Sequence, residues 1–197
     1  MDLRPMVRCG ILSALSLVLM AADFPIPFLF PEYLKYDFSE LPALLAAVGM
    51  GPGWGLVVEV VKNLLYLALG LSSAGWIGVL ANLLAGSTLV LVTGWTASRL
   101  GLARWDAGEP SPLAVWWHRG SLAVAAGTLA MAAVMFVANG ALLLRLWGIP
   151  ADQTWHVALA TIVPFNLFKG IVSGTLGLAL CRRVVPAVFR VLEQRAA

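Results

Sequence analysis

The sequence predicts an all-α polytopic membrane protein, a bundle of six transmembrane helices with an aromatic external loop between helices 1 and 2. Composition and patterning carry this expectation. Of 197 residues, 60% are hydrophobic and only 12% charged, with mean hydropathy +0.89. Soluble domains are about 25% charged, and no soluble fold covers so much apolar surface. Apolar runs of spanning length also recur along the chain, separated by Gly/Pro-rich or charged connectors. The length suits one polytopic domain over residues 1–197. Cys9 and Cys181 lie near opposite ends, match no metal or CxxC spacing, and read as packing residues. The N-terminal apolar run lacks a small-x-small cleavage site, so residues 8–22 are expected to stay as the first span. No basic stripe carries interleaved aromatics, which argues against nucleic acid and leaves membrane lipid as the surrounding partner.

The first helix is expected from Met6 to Ala22. Gly10, Ala14, Val18 and Ala22 recur at every fourth position, a slim stripe where another helix can approach closely. The bland alternative is ordinary packing within the chain. Residues 23–38, DFPIPFLFPEYLKYDF, read as a loop, because Pro25, Pro27 and Pro31 oppose a continuous helix. Six aromatic residues make this loop a lid or plug over the helix ends, or else an interfacial aromatic belt. Ser39 is placed to N-cap helix 2, with Glu40 and Pro42 suited to its first turn. Gly49–Gly53 ends that helix after about ten residues, short for a span. Helix 3 is expected over Trp54–Leu69 and helix 4 over Trp76–Leu100. Residues 101–119 form the most polar loop, with Arg104, Asp106, Glu109, His118 and Arg119. Helix 5 is expected over Gly120–Leu146 and helix 6 over Trp155–Cys181. Arg182-Arg183 is expected to stop helix 6, leaving a short amphipathic tail from Pro186.

Basic residues set the orientation. With six spans, Arg4, Arg8, Arg99, Arg104, Arg119, Arg182, Arg183, Arg190 and Arg195 share one side, nine of the thirteen Lys and Arg. That side is expected to be cytoplasmic, together with both termini, in a multi-pass protein of the cell membrane.

Polar residues inside the greasy runs are the candidate site, since polar groups at membrane depth need a partner or ligand. Glu59, Lys62, Asn63 and Tyr66 follow i, i+3, i+4, i+7 spacing and share one face of helix 3. Asn166 and Lys169 share a face of helix 6, just after Pro164, which frees the Ala160 carbonyl about one turn back. Asn139 lies in the outer half of helix 5. This set can converge under the aromatic loop. It suits a neutral, planar, hydrogen-bonding ligand, because asparagine both donates and accepts, lysine donates, and aromatics stack. Each residue also has a plainer reading. Glu59 and Lys62 can pair within helix 3, Asn82 can bond a neighbouring helix, Lys169 can snorkel, and Asn139-Gly140 can mark only a helix distortion. No Ser/His/Asp arrangement, metal-ligand spacing or Walker loop is present, so neither catalysis nor self-powered transport is expected.

The run LKYDFSELPALLAAVGMGPGWGLVVEVVKNLLY at 34–66, with FPIP at 24–27 and PFNLFKG at 164–170, resembles the riboflavin-specific substrate-binding S component of energy-coupling factor (ECF) vitamin transporters. The resemblance covers most of the chain. It implies a six-helix subunit that captures riboflavin from outside and is not an enzyme. It implies partnership with a transmembrane T component and two cytoplasmic ATP-binding subunits, with riboflavin as transported ligand and no cofactor. The family's last-helix asparagine and lysine match Asn166 and Lys169, and Asn139 corresponds to the helix 5 asparagine. Candidate ligand contacts are Asn139, Asn166, Lys169, Asn63, Glu59, Tyr36 and Leu34. The T component would meet Gly10, Ala14, Val18 and Ala22, although Val18 departs from an all-small stripe. The alternatives are an S component for another vitamin or planar heterocycle, a small membrane enzyme, and an assembly subunit that binds no small molecule. An enzyme would need a catalytic constellation, and a purely structural subunit would not need Asn and Lys on three helices facing one space.

Overall fold

The computed structural model describes residues 3–102 and 112–194, with side chains to residue 184. Six helical rods run in chain order. These are α1 Arg4–Ala21, α2 Glu40–Gly49, α3 Pro52–Ala68, α4 Gly75–Arg99, then α5 and α6. α5 begins as Leu113–Ala138, passes through a π-turn at Asn139–Leu143, and ends at Leu144–Leu146. α6 begins at Thr154–Val157, passes a π-turn at Ala158–Ile162, and continues as Val163–Gln194. Among the described residues, α1, α4, α5 and α6 are long and apolar enough to cross a membrane. The loop after α1 contains a short antiparallel ladder, β1 Phe24–Pro25 with β2 Lys35–Tyr36, which pairs Phe24 with Tyr36 and Pro25 with Lys35. The alternation of prolines hid this ladder from the sequence.

Two helix ends differ from expectation. α5 starts at Leu113, two turns before Gly120, so His118 and Arg119 are helical. Pro112, extended at φ −48° and ψ 144°, starts the helix, and buried Trp116 anchors its first turn. α6 does not stop at Arg182-Arg183 but runs to Gln194. Arginine is a good helix former, so charge ends the apolar span without ending the helix. The expected loop residues Arg104, Asp106 and Glu109, with Arg195 at the C-terminus, lie outside the described residues.

The short α2 occupies the middle of the bundle, packed against α1, α3, α4 and α6. Eight of its ten residues are buried, among them Ala43, Leu44, Ala46 and Ala47. Between helices in lipid there is little hydrophobic driving force, so close approach through small residues matters more. Glycines on three neighbours make that approach possible. A Cβ on Gly55 of α3 would meet the Ala47 Cβ at 2.5 Å and the Ala43 carbonyl oxygen at 2.9 Å. A Cβ on Gly94 of α4 would lie 3.0 Å from Ala47, and one on Gly177 of α6 would lie 2.9 Å from Leu44. The turn between α2 and α3 requires Gly51 at φ +114°, in the region L side chains avoid.

Filling these contacts should loosen the bundle. Gly55→Leu and Gly94→Leu are each expected to lower stability by about 1–3 kcal/mol through overpacking, measured by thermal unfolding in detergent. Gly53→Ala meets nothing within 4 Å and should cause no loss.

Candidate functional site

The polar residues of the bundle form one buried network. Lys62 of α3 donates to Ser39 Oγ at 2.8 Å and forms ion pairs with Glu59 Oε1 at 2.8 Å and Glu40 Oε2 at 3.3 Å. Lys169 of α6 donates to Asn82 Oδ1 at 2.7 Å and forms ion pairs with Glu40 Oε1 at 3.1 Å and Asp37 Oδ2 at 3.5 Å. Glu40 therefore spans two lysines from two helices, one through each carboxylate oxygen. Gly86 of α4 leaves room for this arrangement, since a Cβ there would collide with Glu59 Oε2 and crowd Glu40 Oε2. Ser39 stands at the N-cap of α2, yet its hydroxyl makes no capping bond. That oxygen takes the Lys62 proton instead, while Asp37 Oδ1 accepts the Ser39 N–H at 2.8 Å. Ser16 of α1 donates to the Ser39 carbonyl at 2.9 Å, which ties α1 to the same corner.

Above the network lies a cavity. Its wall includes Lys169, Asn166, Asn139, Asn82, Asp37 and Leu34, with Tyr33, Tyr66, Trp147 and Phe165 as aromatic lining. Asn139 sits at the start of the α5 π-turn, and its Nδ2 donates to the Met135 carbonyl at 2.9 Å. Asn166 Nδ2 likewise donates to the Ile162 carbonyl at 2.8 Å. Each amide keeps its Oδ1 and a second Nδ2 proton for other partners. The two π-turns are in contact. Pro164 follows the second one, where a proline ring disturbs the backbone ladder. Thr154 Oγ1 donates to the Gly140 carbonyl at 2.8 Å, satisfying an oxygen beside the first π-turn. Gly140 is needed there, because a Cβ would collide with the Trp155 ring.

The aromatic loop folds onto this cavity. Phe30 packs on Phe165 and Phe168 of α6, with centroids at 5.3 and 5.5 Å, and Tyr33 packs edge-on to Trp147 at 5.8 Å. Lys35 straps the loop down, contacting Asp23 at 3.3 Å and Ser73 of the α3–α4 turn at 3.0 Å. Tyr36 is buried and shares a hydrogen bond with Ser173 at 3.1 Å. Burial raises both the Tyr33 and Tyr36 phenols above their ordinary value, so both stay protonated. Phe28, 84% exposed, is the part of the loop that points outward.

The structure thus brings Asn139, Asn166, Lys169 and Leu34 to one cavity wall. Asn63, Glu59 and Tyr36 stand behind it. Asn63 Nδ2 donates to the Glu59 carbonyl at 2.9 Å, and its Oδ1 lies 3.4 Å from Asn82 Nδ2. Glu59 is committed to Lys62. Sequence reasoning assigned no site role to Asp37 or Asn82, the first a loop residue and the second a lone amide in α4. Neither shows a local pattern, and only the long-range contact with Lys169 reveals them. Gly10, Ala14, Val18 and Ala22 form an exposed stripe on α1, with Val18 65% exposed and open space beside Gly10. The stripe therefore does not pack within the chain. Cys9, Ser13, Ser16 and Met20 form the buried face instead.

A family model for the ECF transporter substrate-specific component matches residues 4–180. The chain belongs to this family. This S component is 36% identical over 180 residues to "Riboflavin transporter FmnP" of Bacillus subtilis (strain 168), covering 87% of each. It is 30% identical over 197 residues to "Riboflavin transporter RibU" of Staphylococcus aureus (strain TCH60), covering 94% of this chain and 93% of the relative. A solved structure described as "Structure and mechanism of the S component of a bacterial ECF transporter" aligns with TM-score 0.69 and 30% identity, covering 94% of this chain and 97% of that one. The S component is accordingly a transporter component in a membrane, not an enzyme.

Removing one partner from a buried ion pair costs about 3–5 kcal/mol, because the other charge is stranded. Glu40→Ala strands part of two lysines and is expected to destabilise the S component by at least that much. Lys35→Ala, whose ion pair is partly exposed, should cost no more than about 1 kcal/mol. Thermal unfolding of both variants in detergent checks the contrast.

Proposed function

We propose that this S component captures riboflavin from outside the cell and delivers it inward with a transmembrane T component and two cytoplasmic ATP-binding subunits. The observation that carries the reading is the cavity wall on which Lys169, Asn139 and Asn166 meet beneath aromatic side chains. An isoalloxazine is planar. One edge is imide-like, alternating carbonyl acceptors with an N–H donor, and its other end is an apolar dimethylbenzene. Asparagine amides complement both kinds of atom on such an edge, and the lysine ammonium donates to a carbonyl. Leu34, Phe165, Trp147 and Tyr33 supply apolar and stacking surface for the ring. Two relatives that the chain matches over most of its length carry riboflavin in their names, which supports the same ligand here.

Direct ligand contacts are assigned to Asn139, Asn166, Lys169 and Leu34. Glu59, Asn63 and Tyr36 act through them by fixing the wall. Riboflavin is cargo, so no electron or group transfer is required of it and no separate cofactor is invoked. A single transmembrane domain, 1–197, does this work with both termini in the cytoplasm. Arg99, Arg119 and Arg182 gather at one end of the bundle, which supports that orientation. There Arg119 donates to the Leu100 carbonyl at 2.9 Å, and Arg182 lies over Trp116. The exposed α1 stripe of Gly10, Ala14, Val18 and Ala22 is slim enough for a helix of the T component to approach closely.

Purified protein should carry flavin absorbance or bind added riboflavin with quenching of tryptophan fluorescence, since Trp147 lines the cavity. No binding at micromolar riboflavin overturns the assignment. Asn166→Ala and Lys169→Ala should each weaken binding by about 1–3 kcal/mol, the scale of a lost buried hydrogen bond. Unchanged affinity in both moves the site elsewhere. Ala14→Trp should leave riboflavin binding intact while abolishing cellular uptake. Lost binding with normal assembly contradicts the role given to the stripe.

A further inference from the structure

Lys169 is surrounded by more acceptors than its charge requires. An ammonium has three protons; Asn82 accepts one as a hydrogen bond, and the Glu40 and Asp37 carboxylates stand beside it as ion-pair partners. Asn82 Oδ1 lies at 2.7 Å, Glu40 Oε1 at 3.1 Å and Asp37 Oδ2 at 3.5 Å. Across the network, three carboxylates, Asp37, Glu40 and Glu59, face two ammoniums, Lys62 and Lys169. Glu59 is held by Lys62, and Glu40 bridges both lysines. Of the two lysines Asp37 pairs only with Lys169, and at the longest of the distances. It is the surplus acceptor by charge and by geometry.

Its position sets it apart as well. Glu40 stands behind the cavity, whereas Asp37, Asn82 and Lys169 line it. Glu40 and Asn82 are fixed on helices. Asp37 belongs to the short connection between β2 and α2, the stretch where the aromatic loop joins the bundle. Its other oxygen, Oδ1, accepts the Ser39 N–H at 2.8 Å, so Oδ2 can be released without giving up the start of α2. A ligand carbonyl that takes a proton from Lys169 must share it with, or displace, one of three groups already around it.

We propose that Asp37 is a displaceable acceptor, an intramolecular competitor for Lys169 that the ligand carbonyl replaces on binding. The proposal rests on the riboflavin reading above. Displacement exchanges one acceptor for another at Lys169, which keeps Glu40 and Asn82 throughout. Asp37 keeps its charge and its Oδ1 bond to the Ser39 N–H, while Glu40 and Glu59 stay paired with the two ammoniums. The exchange reports ligand arrival to the loop, since Asp37 directly follows β2.

Asp37→Asn in the full-length protein tests this. Asparagine keeps an oxygen for the Ser39 N–H but turns a donor toward Lys169, which abolishes the competing contact. Riboflavin titration should show Kd falling roughly three- to tenfold, with faster association, because an occupied site lowers apparent affinity by its occupancy. In a Lys169→Ala background, Asp37→Asn should leave Kd unchanged, a result that a merely structural role would not produce. Unchanged or weaker binding by Asp37→Asn at wild-type thermal stability overturns the proposal, as does an equal gain in the Lys169→Ala background. Where Asp37→Asn lowers thermal stability, Asp37→Ser provides the same test, since its hydroxyl serves the Ser39 N–H but is too short for Lys169. Wild-type protein that binds no riboflavin defeats the functional reading. Wild-type binding without a gain in the Asp37 variants defeats only this inference.

Discussion

Glu40 shared between Lys62 and Lys169 is the interaction on which the rest depends. It lies in the first turn of α2, a helix of ten residues that is too short to span a bilayer. A helix start buried inside the bundle exposes backbone donors that no water satisfies. A carboxylate there suits the positive end of the helix dipole, and two lysines from α3 and α6 then hold the carboxylate. One side chain thus locates the central helix against two neighbours. Burying such charges is costly, and the cost is offset only when every partner is present. The network includes Ser39, Asn63, Asn82 and Asp37 for that reason.

The same network divides the polar residues by role. Those below Glu40, with Glu59 and Lys62, are consumed by one another. Those above it retain hydrogen-bonding capacity and line the cavity. Lys169 is the point of contact between the two sets, since it is anchored by Glu40 and faces the cavity. The aromatic loop closes over this upper set through ring contacts with α6 and Trp147, so polar recognition and apolar enclosure come from different segments of chain.

Much of this was legible from periodicity. The i, i+3, i+4, i+7 face of helix 3 and the i, i+3 face of helix 6 follow from helical geometry alone, and Lys62 does pair with Glu59. Gly/Pro punctuation correctly placed the turn after α2. Asn139-Gly140 and Pro164 were visible as disturbances, and a π-turn accompanies each. The partners of Lys169 were not legible. Asp37 and Asn82 lie more than eighty residues away in sequence, and local spacing carries no information about such pairs. Asn82 was read as bonding a neighbouring helix, which it does through Asn63, but its place on the cavity wall depends on how α4 is rotated. The Ser39 hydroxyl makes no cap, because a lysine from another helix outcompetes the backbone for it. The helix start at Pro112 and the continuation past Arg182 differ from expectation because charge is not a stop signal, and the backbone responds to conformation rather than polarity.

The glycine contacts around α2 have a mechanical consequence. Where helices touch through backbone and single methyl groups, no long side chain is available to change rotamer and absorb a displacement. Sliding one rod past another would break several tight contacts together. The bundle is therefore stiff about its centre. Compliance is concentrated in the proline-rich connection above it, which is held by ring edges, one partly exposed ion pair and the Lys35–Ser73 and Tyr36–Ser173 hydrogen bonds. Large rearrangements that carry a ligand through the membrane must then move the helices as a unit, with the loop as the part that yields.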